Sequence, residues 1–298
     1  MTLDNTQSVF GVIGLGRMAQ ILVNSLLTNG HVAPNSLWAV VGSETSAQKR
    51  RAELPIDAHV LAATDPAASN VWKAPFQLLA VKPQQLEAVA RSSAPVQNQP
   101  MLISILAGVP LDRLQRLFPG HCCVRAVPNT PALVRAGLTA LAWGNEVCDG
   151  QQRFVKQLFS NIGEVLELPE CKLDAFLALT SSGPAFIALV AEAMADGAVA
   201  AGLTRDLAHR LAHRTLAGTA ELLNQRQLHP AELKDMVSSP GGTTIAGLRH
   251  LERAGLRSAL IEAVVAAAER SRQLARPVKE EHRAMSDGLK VAKNKAFG

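Results

Sequence analysis

The feature that most constrains the fold is an apolar run that ends in a glycine-rich turn. Residues 9–13 lead directly into Gly14-Leu15-Gly16-Arg17-Met18-Ala19, a G-x-G-x-x-A pattern. In such a pattern the first glycine permits a tight turn, the second lets the backbone approach a pyrophosphate, and the alanine keeps the helix close to the strand. Its position after a first strand and before a helix strengthens an otherwise weak signal. These six residues are therefore predicted cofactor ligands of a dinucleotide-binding domain.

Further apolar runs alternate with amphipathic stretches through the first half of the chain. The predicted strands are residues 9–13, 37–41, 60–62, 76–80, 102–105, 122–126, 138–143 and 165–168. Strands this apolar, separated by helical patterns, are typical of a mostly parallel sheet covered on both faces. From Lys172 onward no strand pattern remains, and apolar residues recur at spacings of three and four. We expect an α/β Rossmann-like domain over residues 1–169 and an all-α domain over residues 170–298.

The composition is typical of a cytoplasmic globular protein. The chain is 48% hydrophobic and 18% charged, and its first residues lack the basic and apolar regions of a secretory signal. The most apolar stretch, residues 186–203, contains Glu192 and Asp196, so it is predicted to be a buried helix rather than a membrane span. The four cysteines match no metal or redox spacing and are expected to be reduced core residues: Cys122, Cys123, Cys148 and Cys171.

The net charge of +5 raises the question of nucleic acid, which the pattern of residues does not support. The basic residues are scattered, tyrosine is absent, and no aromatic residues interleave with a basic stripe. A mild positive excess fits an anionic cofactor and an anionic small substrate equally well. We expect no nucleic-acid partner and no bound metal.

The end of the second strand bears on which nicotinamide cofactor is used. An acidic residue at this strand tip binds the ribose 2′-hydroxyl of NAD and repels the 2′-phosphate of NADP. Here Gly42 and Ser43 occupy the tip and Glu44 follows one position late. We predict Ser43 as a cofactor ligand and NADPH as the cofactor, with NADH as the alternative. The basic run at residues 49–51 either contacts the cofactor or forms a solvated helix face.

A second glycine-rich turn lies far along the chain, in Ser238-Ser239-Pro240-Gly241-Gly242-Thr243-Thr244. The residues after it have helical spacing, so the turn aims backbone N–H groups and hydroxyls at the space above a helix N-terminus. Unpaired donors and the helix dipole together favour an anion such as a carboxylate or phosphate there. The alternative is an ordinary helix start capped by a Ser or Thr side chain.

These motifs, with two others, resemble the pyrroline-5-carboxylate reductase family. One further motif is Arg125-Ala126-Val127-Pro128-Asn129-Thr130-Pro131-Ala132, and the other is Leu179-Thr180-Ser181-Ser182-Gly183-Pro184-Ala185-Phe186. The resemblance extends to about Arg276. The chain departs from the family pattern in having Ser181 where glycine is usual, Phe186 where tyrosine is usual, and Leu106 where a small residue is usual.

The resemblance implies reduction of the cyclic imine 1-pyrroline-5-carboxylate to L-proline, the last step of proline biosynthesis. It implies that the substrate carboxylate binds the Ser239 hydroxyl and the amides of Gly242, Thr243 and Thr244. The Thr244 hydroxyl then bonds the ring nitrogen, and Asn129 belongs to the substrate site. Further cofactor ligands implied at strand ends are Thr64, Ala80, Val81, Lys82, Pro83, Ile105, Leu106 and Ala107.

The resemblance also implies a homodimer with interlocking helical domains, with rings of dimers as a further assembly. Two other functions stay open from the residues alone. One is a β-hydroxyacid dehydrogenase, which usually carries a catalytic lysine on a helix of the second domain. No lysine lies in a matching motif between Lys172 and Lys234. The other is a non-catalytic NAD(P)-sensing protein, in which the Pro-Gly-Gly-Thr-Thr turn has no chemical role.

Overall fold

The structure of the chain, a computed structural model, describes residues 9–93 and 98–275. Contacts between these residues define two compact units. The first unit runs up to Ser181 and resumes at Ala268, and the second unit is Ser182–Ala267. The predicted division of the sequence after residue 169 stays a prediction, and residues 276–298 of the predicted second domain lie outside the described residues.

The first unit contains one eight-stranded sheet. Its strands are β1 (Phe10–Ile13), β2 (Leu37–Val41), β3 (His59–Ala62), β4 (Phe76–Leu79), β5 (Met101–Ser104), β6 (Cys122–Pro128), β7 (Gly137–Trp143) and β8 (Gly163–Glu167). Their order is β3-β2-β1-β4-β5-β6-β7-β8. Among the described strands, β6 and β7 form the one antiparallel pair. The mostly parallel sheet is confirmed, and each predicted strand lies within two residues of an observed one.

Helices cover both faces of this sheet, as its apolar strands require. The helices of this unit are α1 (Arg17–Thr28), α2 (Glu44–Arg51), α3 (Leu86–Ser92), α4 (Leu111–Leu117), α5 (Asp149–Ser160) and α6 (Leu173–Thr180). Side chains of α1, α2 and α5 pack into one core, and those of α3, α4 and α6 pack into the other. Strand β5 shows the alternation, because Met101 and Ile103 face the first core and Leu102 faces the second.

The cysteines divide between the core and the surface. Cys122 and Cys123 are buried on β6, and burial raises the pKa of the Cys123 thiol to about 12. Cys148 and Cys171 are exposed, so the expectation that all four are core residues is wrong for these two. Cys148 directly precedes α5, and Cys171 lies in the short 3-10 turn before α6, so both are in connections where the chain meets solvent.

The second unit is helical, which confirms the all-α prediction for the described residues after Lys172. Its helices are α7 (Gly183–Ala200), α8 (Arg205–Arg226), α9 (Pro230–Met236), α10 (Thr243–Arg253) and the first part of α11 (Leu256–Ala275). The last residues of α11 belong to the first unit. There the Ser271 hydroxyl donates a hydrogen bond to Asp174 Oδ1 of α6, at 2.6 Å.

The interior of the second unit is small. Its buried cluster consists of Ala195, Ala208 and Ala212, with Ala198 and Val199 packed against it. The prediction that residues 186–203 form a buried helix is wrong for the single chain, because only Ala191 and Ala195 of α7 are buried. Many large apolar side chains of this unit are exposed instead, among them Ile187, Leu189, Met194, Leu211, Met236, Val237, Ile261 and Val265.

One helical stretch of the described residues, Glu170–Ala200, has the length and hydropathy of a membrane span. A single stretch of this kind is weak evidence for a membrane. It is also not one continuous helix, because turn residues Ser181 and Ser182 separate α6 from α7.

Candidate functional site

A cavity of about 630 Å³ opens at the carboxyl ends of β1, β2 and β4. At this edge β1 pairs with both β2 and β4, so the direction of strand order reverses, which is where open α/β sheets bind ligands. The lining residues are Ile13, Gly14, Leu15, Gly16, Val40, Val41, Gly42, Ser46, Lys49, Arg50, Ala63, Ala80, Val81, Lys82, Gln85, Ala88, Val89 and Ser92.

The glycines of the first turn fit a dinucleotide. Gly14 has φ +90°, and a Cβ there would lie 2.8 Å from the Ala80 carbonyl group, so only glycine suits the position. A Cβ on Gly16 would meet no atom within 4 Å, which leaves open space at the N-terminus of α1. Within the described residues, α1 has no side-chain cap and no acidic residue in its first turn. This N-terminus is therefore suited to a pyrophosphate.

Six predicted cofactor residues line the cavity together: Gly14, Leu15, Gly16, Ala80, Val81 and Lys82. The other three predicted residues of the first glycine-rich turn do not line the cavity. Arg17 is exposed, and Met18 is half-buried. Ala19 packs in the core against the sheet, as the G-x-G-x-x-A pattern predicts for its alanine. Their roles as cofactor ligands stay predictions.

Predicted residues at other strand ends also lie outside the cavity lining. Thr64 is exposed in the turn after β3, and Pro83 is exposed at the start of a short 3-10 turn. Beyond β5, Ile105 is half-buried, Leu106 is buried in the second core, and Ala107 is exposed. Within the described residues, nothing shows that these five residues contact a cofactor, so their roles stay predictions.

The side of the cavity formed by α2 contains residues that the sequence did not single out or left ambiguous. Ser43 is the N-cap of α2, and its hydroxyl accepts a hydrogen bond from the Ser46 amide at 3.3 Å. Ser46, Lys49 and Arg50 line the cavity instead. Lys49 and Arg50 follow Ser46 by three and four residues, which places all three on one face of α2. That helical spacing was the signal available in the sequence.

The charges on α2 are unequally neutralised. Arg51 pairs with Glu44 at 2.8 Å, and Arg50 pairs with Glu53. Lys49 makes no ion pair within the described parts of the chain. Glu44, which would repel a 2′-phosphate, is thus bound to a cation, while a lysine without a carboxylate partner lines the cavity.

Asn129 occupies a different environment from the one expected of a substrate ligand. Its side chain is buried, with 5% exposure. Its amide nitrogen donates a hydrogen bond to the Thr180 carbonyl at 3.0 Å, and its Oδ1 accepts one from the Leu138 amide at 2.8 Å. Asn129 therefore joins the end of β6 to the start of β7 and the end of α6.

The second glycine-rich turn precedes α10, in the second unit. Gly241 has φ +67°, and the Gly242 amide donates to the Ser239 carbonyl at 3.0 Å, which closes a turn with proline at its second position. The Gly242 amide is thus engaged, which corrects the expectation that it is one of the donors to an anion. A Cβ on Gly242 would lie 2.5 Å from Ser239 Oγ.

The N-terminus of α10 has the properties of an anion site. Within the described residues no side chain caps it and no acidic residue lies in its first turn, so the alternative of a Ser- or Thr-capped helix start is not observed. No described group accepts from the amides of Thr243, Thr244 and Ile245. The Ser238 hydroxyl is also buried without a described partner. Several donors are therefore available at this turn.

Comparisons with known proteins agree over nearly the whole chain. The sequence model described as "Pyrroline-5-carboxylate reductase dimerisation" matches residues 170–274, and the one described as "NADP oxidoreductase coenzyme F420-dependent" matches residues 9–108. The chain is 46% identical to pyrroline-5-carboxylate reductase of Synechocystis sp. over 89% of this chain and 97% of that relative.

Two solved structures share the fold. The 1-pyrroline-5-carboxylate reductase of Streptococcus pyogenes is 27% identical with a TM-score of 0.81, covering 91% of this chain and 100% of that chain. The pyrroline carboxylate reductase of Plasmodium falciparum, solved with NADP bound, is 25% identical with a TM-score of 0.79. That match covers 90% of this chain and 98% of the other.

Proposed function

The chain belongs to the pyrroline-5-carboxylate reductase family, and we propose that it reduces 1-pyrroline-5-carboxylate to L-proline with NADPH. The observation that carries this function is the 46% identity over 97% of a reductase, a match that spans nearly all of this chain. The cavity beside Gly14 and Gly16 and the turn before α10 supply the two anion sites that this reaction needs. The product places the enzyme at the last step of proline biosynthesis.

The cofactor binds in the cavity at the sheet edge. Its pyrophosphate lies against the amides at the start of α1, where Gly16 leaves room. Lys82 lines the same cavity and adds a positive charge. When bound, the reduced nicotinamide supplies the hydride. We assign the remaining predicted cofactor residues of the first turn and strand ends to the same site.

The 2′-phosphate of NADPH is recognised from α2 rather than from the strand tip. Ser46 and Lys49 line the cavity, and Glu44 is held by Arg51. The capping bond of Ser43 leaves that hydroxyl less suited to a phosphate, although Ser43 lies beside the same cavity. NADPH is therefore the preferred cofactor, with NADH as the weaker alternative.

The substrate carboxylate binds at the turn before α10. Its ligands are the amides of Thr243 and Thr244 and the hydroxyl of Ser239, with Gly242 leaving the space that a side chain would fill. Hydrogen bonds to a charged group contribute about 1.5–3 kcal/mol each. Three of them fix the position of the imine ring.

Thr244 orients the ring nitrogen through its hydroxyl. A threonine hydroxyl is a weak acid, so the residue holds an imine that binds in its protonated form and is not its proton source. A protonated imine carbon accepts hydride readily once it is aligned. Alignment alone contributes about 7–11 kcal/mol to lowering the barrier of a reaction between two bound partners.

The second unit works as half of a homodimer. Its interior contains only small side chains, and its exposed apolar surface is too extensive for a stable monomer in water. The match of residues 170–274 to the family's dimerisation region supports this assembly. We propose that the helical domains interlock, that dimers associate further into rings, and that the enzyme acts in the cytoplasm without nucleic-acid or membrane partners.

The decisive test is turnover of the purified protein. With NADPH and the cyclic imine, nicotinamide absorbance is expected to fall as proline forms. Thr244→Ala is expected to lower kcat more than it raises KM, and Thr244→Ser, which keeps a hydroxyl, is expected to retain more activity. Oxidation of a 3-hydroxy acid would identify a β-hydroxyacid dehydrogenase, and cofactor binding without turnover of either substrate would identify a sensing protein.

A further inference from the structure

The break between α6 and α7 follows from the position of one proline. In a continuous helix the amide of residue 184 would donate to the carbonyl of Thr180, four residues earlier. Pro184 has no N–H, and a proline ring crowds the carbonyl four residues before it. The helix therefore ends at Thr180 and begins again at Gly183. The Thr180 carbonyl is left without a donor from the helix itself.

Asn129 supplies the missing donor. Its Nδ2 lies 3.0 Å from the Thr180 carbonyl oxygen, although 51 residues separate the two in sequence. The other end of the same side chain accepts from the Leu138 amide, which fixes the plane of the Asn129 amide. A weaker bond runs in parallel, since the Ser181 hydroxyl donates to the Pro128 carbonyl at 3.4 Å. The connection between the helices is thus fastened to the end of β6.

Little of the Asn129 side chain remains for a ligand. A side-chain amide offers two N–H donors and one oxygen, and here the oxygen and one donor bond backbone groups. Only 5% of the surface of Asn129 is exposed. Its hydrogen bonds therefore act within the protein.

We propose that Asn129 is a positioning residue that caps the proline-broken end of α6. By holding the Thr180 carbonyl it fixes the backbone where α6 ends and the chain continues into α7. The proposal rests on the proposed function for its catalytic consequence, because Ser239 and Thr244, which hold the imine, follow later in the chain. It replaces the expectation that Asn129 binds the substrate directly.

Two substitutions separate the roles of the asparagine. Asn129→Leu removes both hydrogen bonds at similar volume. Asn129→Asp keeps the acceptor for Leu138 but sets a carboxylate against the Thr180 carbonyl. Each is expected to lower kcat about 10- to 100-fold, since a displacement of about 1 Å at the reacting atoms has this effect. Affinity for NADP⁺, measured by calorimetry, is expected to stay within about twofold of wild type, because the cavity is formed by other residues.

The pH profile distinguishes capping from simple structural damage. Burial raises the pKa of the introduced carboxyl group, which when protonated can donate to the Thr180 carbonyl. The kcat of Asn129→Asp relative to wild type is therefore expected to rise as pH falls, whereas that of Asn129→Leu stays low throughout. If Asn129→Asp folds only at low pH, that dependence supports the proposal equally. Ser181→Ala, which removes the parallel weak bond, is the matched control and is expected to retain most activity.

The contrary outcomes are distinct. Wild-type kcat in Asn129→Leu with a KM for the imine raised tenfold or more would show that Asn129 is a substrate ligand. If the kcat of Asn129→Asp relative to wild type does not change with pH, the proposal is also overturned. If the wild-type protein does not reduce the imine, the proposed function fails, and hydrogen exchange still tests the cap. Faster exchange of the Leu138 amide and of residues 181–183 in Asn129→Leu supports it, and unchanged exchange refutes it.

Discussion

Arg125 on β6 and Glu170 in the 3-10 turn before α6 form an ion pair with Nη1 and Oε1 2.9 Å apart. Arg125 is nearly fully buried, with a side-chain exposure of 6%, whereas that of Glu170 is 32%. The same Glu170 oxygen accepts from the Leu111 amide at the start of α4, at 2.8 Å. One carboxylate therefore holds a buried cation and a helix N-terminus at the same time.

Replacing that carboxylate is expected to destabilise the first unit. Glu170→Gln leaves the Arg125 charge buried without its counter-charge, and we expect a loss of about 1.5–3 kcal/mol, below the full value for a buried pair because Glu170 is partly solvated. Urea unfolding with NADP⁺ absent measures the change. The exposed pair Arg116–Asp112 is the control, and Arg116→Ala is expected to cost about 0.5 kcal/mol or less. Equal effects from both variants would contradict this account.

The half-buried His121 is expected to make stability depend on pH. His121 packs against Trp72 and Phe118, and its Nε2 lies 3.1 Å from Gln77 Oε1. Because Gln77 Nε2 donates to the carbonyls of Trp72 and Ala74, its oxygen faces His121, which must donate. Burial lowers the pKa of His121 below its ordinary value of 6.5.

The sign follows from proton uptake. The unfolded chain protonates this histidine near pH 6.5, whereas the folded protein resists protonation until a lower pH, so the folded state loses stability as pH falls below about 6.5. The urea midpoint of the wild type is expected to fall more steeply between pH 7.5 and 5 than that of His121→Gln, which cannot gain a charge. Parallel pH profiles for the two proteins would show that His121 is not responsible.

Lys49 is expected to set the cofactor preference. Lys49→Ala removes a cation that lines the cavity and makes no described ion pair, so it is expected to weaken NADP⁺ binding by about tenfold while changing NAD⁺ binding little. Lys73→Ala is the control, since Lys73 is an exposed cation that does not line the cavity. Calorimetric titration with both cofactors measures the ratio.

Ser43→Asp is expected to change the preference between NADPH and NADH in the same direction as Lys49→Ala. An aspartate keeps the N-cap of α2 and adds a negative charge at the strand tip, so the preference is expected to shift toward NADH. If Lys49→Ala weakens both cofactors equally, the 2′-phosphate lies away from α2.

Gly242 is expected to be indispensable for the substrate and unimportant for the cofactor. A Cβ at this position would lie 2.5 Å from Ser239 Oγ and 3.1 Å from the Ser239 carbonyl oxygen. Gly242→Ala is therefore expected to displace the Ser239 hydroxyl and raise KM for the imine about tenfold, and Gly242→Val to abolish turnover. Gly247→Ala, inside α10 and with open space around it, is the matched control. A loss of NADP⁺ affinity in Gly242→Ala would place this turn at the cofactor.

Assembly is expected to govern thermal stability. Because the second unit has a core of alanines, its folding is expected to require a partner chain, and Tm is expected to rise with protein concentration. Mixing a Gly16 variant with a Thr244 variant tests whether a site combines two chains. Recovered activity in hybrids supports interlocked domains, whereas an active monomer in sedimentation at low concentration contradicts the dimer.

The sheet was predictable because its strands are short, apolar and followed by recognisable turns. Strand β2 was placed without error, and the alternation of β5 between two cores follows from burial on both faces. The first glycine turn was equally predictable, since the strained φ of Gly14 allows no other residue.

The sequence did not determine whether a given polar group bonds the protein itself or a ligand. Whether the Ser43 hydroxyl caps α2, or the Gly242 amide closes a turn, depends on backbone geometry that residue types do not encode by themselves. The same holds for Asn129, whose motif marks it as important but does not distinguish a ligand from a cap. The apolar character of α7 was evident, but the sequence does not say whether its own chain or another covers it.

The alanine interior of the helical unit has a consequence for the newly synthesised protein. The first unit can complete its sheet as soon as its strands have been made. The described helices of the second unit, in contrast, bury small side chains and leave many large apolar ones exposed. Until the proposed pairing of two chains takes place, those helices are expected to be substrates for chaperones and proteases. Pairing is second order in chain concentration, so at low expression the amount of enzyme that survives is expected to fall more steeply than the rate of synthesis.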